Sequence, residues 1–420
     1  MTQVFKFGGA SVKDAAGVRN LAHIIQINQH KKILIVVSAM GKTTNALERL
    51  WQSYIHAHGD VYEIFEEIKS AHYQIIEELF PDPKHPVYDE IANTFVEIDW
   101  ILEDEPHPDP DFNYDQIVSM GEILSTRIIA AYLNECKLNA HWLDARSYIQ
   151  TDNTYREAQV NWSKTKEAIQ QFLPSILQKQ MVVTQGFIGC TSENFTTTLG
   201  REGSDYTAAI FANCLGAENV TIWKDVPGVL NADPKLFPDT QKYEQLPYAE
   251  ALEMTYYGAT IIHPKTIKPL QNAGIPLLVK PFGAPTESGT TISEQAVNGD
   301  ILPAVIVKKN QVLVSISTKD FSFITEDHLS EIFAAFAGCH IKMNTMQVSA
   351  LSFSVCIDDE TRKFEKFKLQ MQADFKIKYN ENLELITIRH YTKEMLAHFS
   401  TDRKVFMEQL SRNTAQLVLK

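Results

Sequence analysis

Runs in which every position is apolar alternate along this chain with stretches that are apolar only every third or fourth position. Val4-Phe5-Lys6-Phe7 and Ile33-Leu34-Ile35-Val36-Val37 read as strands, the second with no polar face, the mark of a strand covered on both sides. Between them Val18, Leu21, Ala22 and Ile25 recur at helical spacing. From about Asn45 to Leu138 the pattern is strongly helical, and Pro81-Asp82-Pro83 and Pro106-His107-Pro108-Asp109-Pro110 mark loops between helices. Strand signals return at 181–185, 219–224 and 275–280 with helices between them, which predicts an α/β sandwich. One of these helices reads from Ser204 as N-cap, through Ala208, Phe211, Ala212 and Leu215, to Gly216 as its stop. Beyond Pro303 the rhythm changes to strand 311–317, helix 326–337, strands 340–346 and 349–357, helix 359–372, strand 383–389, helix 392–399, then strands 404–410 and 414–419. That reads as one βαββαβ unit followed by a shortened βαββ that lacks its last helix and strand.

Two strand–loop–helix junctions carry candidate chemistry. Gly8-Gly9-Ala10-Ser11 follows the first strand, where two glycines allow the backbone to approach a ligand and Lys6 supplies a mobile positive charge. The turn is neither a Walker A loop nor a dinucleotide fingerprint, because the spacing of both is absent. Thr196-Thr197-Thr198-Leu199-Gly200-Arg201-Glu202-Gly203-Ser204-Asp205 leads into a helix, whose free N–H groups and dipole favour a phosphate or carboxylate. Arg201 adds a planar fork suited to a carboxylate. Each junction is equally compatible with a plain connection between elements.

Composition narrows the class. A net charge of −13 over 420 residues, without a long basic run, argues against nucleic acid and anionic membrane surfaces. The five cysteines are scattered and lack metal spacing, which predicts reduced core residues in a cytoplasmic protein. The chain enters a strand at once, leaving no room for a signal peptide, and no apolar run approaches the ~18 residues that span a bilayer.

Taken in order, Lys6-Phe7-Gly8-Gly9-Ala10-Ser11, Val37-Ser38-Ala39-Met40-Gly41-Lys42-Thr43-Thr44-Asn45, Ser119-Met120-Gly121-Glu122, the 196–209 loop, Ile222-Trp223-Lys224-Asp225-Val226-Pro227-Gly228, Asn231-Ala232-Asp233-Pro234-Lys235 and Tyr257-Gly258-Ala259-Thr260-Ile261-Ile262-His263-Pro264 form one series. The series resembles the aspartate kinases of the amino-acid kinase superfamily over roughly residues 3–295, and more loosely to the C-terminus. The resemblance implies a three-layer αβα sandwich with a helical N-lobe segment over residues 1–300. It implies α+β, ferredoxin-like ACT regulatory domains over 303–380 and, shortened, over 381–420, with no dehydrogenase domain after residue 303. The implied reaction is ATP-dependent phosphorylation of the β-carboxylate of L-aspartate, the first step toward lysine, threonine, methionine and diaminopimelate. That nucleophile is ionised at neutral pH, so catalysis needs positioning and charge neutralisation rather than a general base.

Carried over position by position, Lys6, Arg201 and Asp205 are the implied catalytic residues, with Asp205 organising Lys6 and the metal–phosphate cluster. Ser38, Thr44, Glu122, Arg201 and Ser204 are implied to hold aspartate, Arg201 on its carboxylate and Glu122 on its ammonium. Lys6, Gly8, Gly9, Ser11, Lys224, Asp225, Asp233, Lys235 and Thr260 are implied to hold ATP, with backbone N–H donors from Gly8, Gly9, Gly203 and Ser204. Mg²⁺ arrives with ATP, and no protein ligand for it is assigned. Without the resemblance, Glu122 reads as a structural salt-bridge partner, Asp205 as a helix-capping acid and His263 as a helix-entry residue.

This chain departs from the family pattern at four site positions. Ala10 stands where the family usually has Thr or Ser, Glu202 where it has Gly, Thr260 where many members have Lys, and Lys235 where Arg is common. Weaker ATP binding is expected. In the regulatory region Asn344 replaces an Asp of lysine-sensitive members, and Thr325-Glu326-Asp327 replaces their Gly-rich turn. This predicts a dimerisation platform with altered or absent lysine sensitivity. The rival readings are a kinase for another amino acid and a non-catalytic amino-acid sensor.

Overall fold

The computed structural model describes residues 1–57, 59–259, 262–295, 301–320 and 322–420. The chain forms two compact units, one of residues 1–229, 242–252 and 261–297, the other of residues 230–241, 253–260 and 298–420.

The first unit opens with β1 (Thr2–Phe7), α1 (Ala15–Ile27) and β2 (Lys32–Val37). Five helices follow: α2 (Thr43–Ile55), α3 (Val61–Leu79), α4 (Val87–Glu103), α5 (Pro110–Val118) and α6 (Met120–Glu135). Next come β3 (Ala140–Leu143), α7 (Trp162–Leu177), β4 (Met181–Gln185), β5 (Ile188–Cys190), β6 (Thr196–Thr198), α8 (Gly203–Leu215) and β7 (Asn219–Lys224). β8 (Gln245–Pro247), α9 (Tyr248–Tyr257, of which residues 253–257 count with the second unit), α10 (Pro264–Asn272), β9 (Leu277–Pro281) and β10 (Thr290–Ser293) follow. Eight of these strands make one sheet in the order β3-β4-β2-β1-β7-β9-β10-β8, parallel except where β10 meets β9. Ile33 to Val37 are all fully buried, as a strand between two helical layers requires. β1 lies centrally, with Lys6 level with Val36 on one side and Ile222 on the other. In such a sheet ligands bind beyond the carboxyl ends of the strands.

Two expectations for this unit change. Residues 196–198, read as loop, pair with β5 as a hairpin. α8 is capped two residues earlier than Ser204: Glu202 sits in the left-handed region at φ 54°, and its carbonyl accepts Asp205 N at 3.1 Å and Tyr206 N at 3.2 Å. The left-handed turn winds the chain into the helix before Ser204 is reached, so Ser204 is helical and buried.

The second unit contains β11 (Ala304–Thr318), α11 (Glu326–Gly338), β12 (Met343–Val348), β13 (Phe353–Asp358), α12 (Thr361–Met371), β14 (Phe375–Arg389), α13 (Lys393–Ser400), β15 (Val405–Leu410) and β16 (Thr414–Leu419). They form an antiparallel sheet ordered β12-β13-β11-β14-β16-β15. α11 and α12 cover half of it through Phe336 stacked on Phe367 at 4.2 Å, above Val314, Ile316 and Val355. α13 covers the other half with Met395, Leu396 and Phe399 over Ile386, Ile388 and Leu417. β11 and β14 are longer than the sequence pattern implies. Ala304–Lys308 pairs with Leu385–Arg389, and Leu313–Thr318 with Phe375–Asn380. Ala304–Lys308 thus packs with residues near the C-terminus although it precedes α11 in the chain, which a reading in chain order does not reveal.

Candidate active site

The turn after β1 is built around a backbone contact that only glycine permits. A Cβ on Gly9 would stand 2.6 Å from the Ala39 carbonyl oxygen, so the 8–11 turn and the 38–41 loop lie against each other without side chains between them. Gly41 N donates to Gly9 O at 3.0 Å, and Ser38 N to Phe7 O at 3.1 Å, joining the two loops at the strand ends. Lys6 is 8 % exposed and its Nζ lies 2.6 Å from Asp205 Oδ1. Gly186 at the end of β4 leaves room for Ser204, whose Cβ would be 2.5 Å from a Cβ there, and so brings α8 against the sheet.

Glu122 lies in the first turn of α6 and is 3 % exposed. Its Oε1 accepts Ala39 N at 3.1 Å, while its buried Oε2 has no hydrogen-bond partner among the described residues. Burial pushes its carboxyl up to about 8, against smaller opposing effects of the Ala39 N–H and the nearby Lys6 charge. An orphaned carboxyl oxygen beside a phosphate-type loop is an acceptor suited to a cationic group of a small ligand.

The sequence profile of the amino acid kinase family matches residues 1–281. Lysine-sensitive aspartokinase 3 of Escherichia coli is 30% identical over 394 residues, covering 92% of this chain and 86% of that protein. The chain belongs to the aspartokinases of the amino acid kinase family. Aspartokinase 2, chloroplastic, of Arabidopsis thaliana is 31% identical over 375 residues, covering 85% of this chain and 66% of that one. The structure of E. coli aspartokinase III in complex with aspartate and ADP (R-state) superposes with a TM-score of 0.84 at 26% identity, over 100% of this chain and 96% of that one.

In this aspartokinase, Lys6, Gly8, Gly9, Ser38, Glu122, Ser204 and Asp205 converge at the carboxyl ends of β1, β2 and β4. Lys224 and Asp225 end β7, the neighbour of β1, with Asp225 exposed. Thr44 is in the first turn of α2, and Arg201 is exposed in the turn before α8. Two expected contributions differ. Ser11 is buried and its hydroxyl donates to Trp223 O at 3.5 Å, into the fold. The Gly203 N–H is occupied by Gly200 O at 2.9 Å, because the tight turn closes on itself before the helix begins. Asp233 and Lys235 belong to the second unit, where Asp233 Oδ1 accepts Lys235 N at 2.9 Å. Thr260 lies outside the described residues.

The sequence reading missed Asp115. Entirely buried in α5, it accepts Thr198 Oγ1 at 2.7 Å, Thr198 N at 2.8 Å and Arg156 N at 3.1 Å. It anchors β6, three residues before Arg201. Burial raises its carboxyl to about 7 in spite of these bonds. An Asp in a helical run gives no sequence signal of such a partner, 83 residues away.

Proposed function

We propose that Lys6, Glu122, Arg201 and Asp205 serve transfer of the γ-phosphoryl group of ATP to the β-carboxylate of L-aspartate. The observation that carries this assignment is the buried, partnerless Oε2 of Glu122. It receives the aspartate ammonium, while Arg201 holds a carboxylate in its fork. Lys6 neutralises charge on the moving phosphoryl group, and Asp205 keeps Lys6 in place. The Gly8-Gly9 turn lines the phosphate path, and the cradle that a Cβ on Gly9 would obstruct fits such a group. Lys224 and Asp225 serve the nucleotide. Mg²⁺ enters with ATP and supplies positive charge to its phosphates.

Residues 1–300 form the catalytic domain in this proposal, and 303–380 and 381–420 the paired ACT-like modules. The edge strands β12 and β15, with Met346, Val348 and Leu410 exposed, support assembly into a homodimer. A cytoplasmic location is supported by the five free cysteines. Among the described residues no helix is long and apolar enough to cross a membrane.

The test is ATP-dependent acyl-phosphate formation, trapped as hydroxamate, with L-aspartate beside L-glutamate and Lys6→Ala as control. Activity with aspartate alone, lost in the variant, is the expected result. Equal turnover of glutamate, or none with either acid, refutes the assignment.

A further inference from the structure

A second candidate site lies on the opposite face of the central sheet. Side chains alternate along a strand, so Gln3, Phe5 and Phe7 of β1 face away from Lys6. Gln3 is level with Asn219 on β7, and Trp223 is level with Lys280 on β9. These rows line a cleft of about 330 Å³ together with Asn28 and Lys31 after α1 and with Pro285 and Thr286. No aspartate or glutamate lines it, although the chain as a whole carries a net charge of −13.

Two of the residues that line this cleft carry a buried polar atom without a hydrogen-bond partner among the described residues: the indole Nε1 of Trp223, a residue 2 % exposed, and Oδ1 of Asn219. The indole N–H can only donate, so an acceptor has to reach it. The amide of Asn219 can turn either end toward a ligand. Lys280 Nζ stands 5.4 Å from the centre of the Trp223 ring. Burial lowers the affinity of Lys280 for its proton, and the neighbouring Lys31 charge lowers it further. Two cations, a partnerless N–H donor and a lining without carboxylates are one chemical complement. Lys280 Nζ also donates to Pro285 O at 3.3 Å, which leaves two of its three N–H donors for a ligand.

We propose that this cleft binds a compact oxyanion, a phosphate or a carboxylate, through the indole N–H of Trp223 and the ammonium groups of Lys31 and Lys280. The site is separate from the Lys6–Asp205 face. Phe7 stacks on Trp223 with ring centres 6.1 Å apart, so the ligand would contact the residue that supports the start of the Gly8-Gly9 turn.

The experiment is calorimetric titration of the full chain, without nucleotide or aspartate, using inorganic phosphate and, separately, citrate. Arg201→Ala removes the exposed cation of the active site, and a Lys31→Gln/Lys280→Gln pair removes those of the cleft. The expected result is saturable binding of at least one probe that survives Arg201→Ala and weakens about tenfold or more in the lysine pair, the scale of a lost charge-assisted bond. Trp223→Phe keeps the ring, removes the donor and should weaken binding by a similar factor. If that variant fails to fold, the lysine pair decides alone, because both lysines are half-exposed and melting curves report its integrity. Tighter phosphate binding identifies phosphorylated ligands as the source, and tighter citrate binding carboxylates. Absence of saturable binding, or binding lost with Arg201 and kept without the two lysines, overturns the proposal.

Discussion

Lys6 of β1 and Asp205 of α8 form a buried ion pair at 2.6 Å, with side chains 10 % and 4 % exposed. The pair joins β1, which lies between β2 and β7, to the helix that follows the Arg201 turn. Removing one member of such a pair leaves an uncompensated charge. Asp205→Ala is therefore expected to cost about 3 kcal/mol of stability, measured by denaturant titration. Lys6→Ala should lower kcat in the hydroxamate assay by about a hundredfold or more, the usual scale for loss of a group that stabilises transition-state charge. A Lys6→Ala enzyme with near-normal kcat would remove Lys6 from the mechanism.

Glu122 makes aspartate binding pH-dependent. With its carboxyl raised to about 8, it is protonated at pH 7 before substrate arrives, and an incoming ammonium displaces the proton. Calorimetry at pH 7 in buffers of different ionisation enthalpy should detect release of about one proton per aspartate. Affinity should rise with pH and level off above about 8, and Glu122→Gln should abolish the release. The same group affects stability. Its folded value lies above the unfolded 4.5, so the folded chain holds a proton that the unfolded chain has lost between about pH 4.5 and 8. That stabilisation is complete below the window and declines as pH rises through it, and Glu122→Gln flattens the decline.

Asp115 holds the strand before the Arg201 turn. Asp115→Ala strands Thr198 N, Thr198 Oγ1 and Arg156 N, at an expected cost of about 2–4 kcal/mol in urea unfolding. Asp115→Asn keeps the volume and one acceptor and should lose less stability. If Asp115 positions Arg201 through β6, that variant raises KM for aspartate more than it lowers kcat. Unchanged KM in a folded Asp115→Asn enzyme would reduce the residue to a purely structural role.

Glu202 occupies a left-handed position at φ 54°, where a side chain is strained and glycine is not. Glu202→Gly is expected to stabilise the chain by up to about 1 kcal/mol and raise Tm. It also removes a negative charge next to Arg201, so KM for aspartate or ATP should fall. A lowered Tm would show that Glu202 makes contacts which outweigh its backbone strain.

Lysine should be a weak effector or none. Asn344 already spends its amide inside the fold: Oδ1 accepts Lys308 Nζ at 2.8 Å, and Nδ2 donates to Gln311 Oε1 at 2.8 Å and Asp358 Oδ1 at 3.0 Å. This neutral amide, already bonded within the fold, offers no negative charge to an effector ammonium. Titrating lysine into the protein without substrates should give no tight binding, and an affinity in the micromolar range would contradict the prediction.

What was legible in the sequence was local. The all-apolar β2 run, the glycine turn after β1 and the helical spacing around Phe211 predicted their elements because strand burial and helix amphipathicity are written in adjacent residues. The short hairpin of β5 and β6 escaped because Thr196–Thr198 have no alternation, and their pairing depends on Ile188–Cys190. The partner of the Ser11 hydroxyl was equally illegible: its position in the turn is local, but the carbonyl that takes its hydroxyl is 212 residues away.

The sequence by itself determined the α/β and α+β character of the two regions, the ligand-type loops and the ordered series of motifs that resembles the aspartokinases. Each depends on periodicity or spacing within a few tens of residues. Only the tertiary structure decided that Lys6 meets Asp205, that Glu122 has an oxygen without a partner, that Asp115 anchors β6, and that Ala304–Lys308 pairs with Leu385–Arg389. These features arise where strand order and helix packing bring distant segments together, and desolvation then sets their charge states. No property of the isolated segments encodes either.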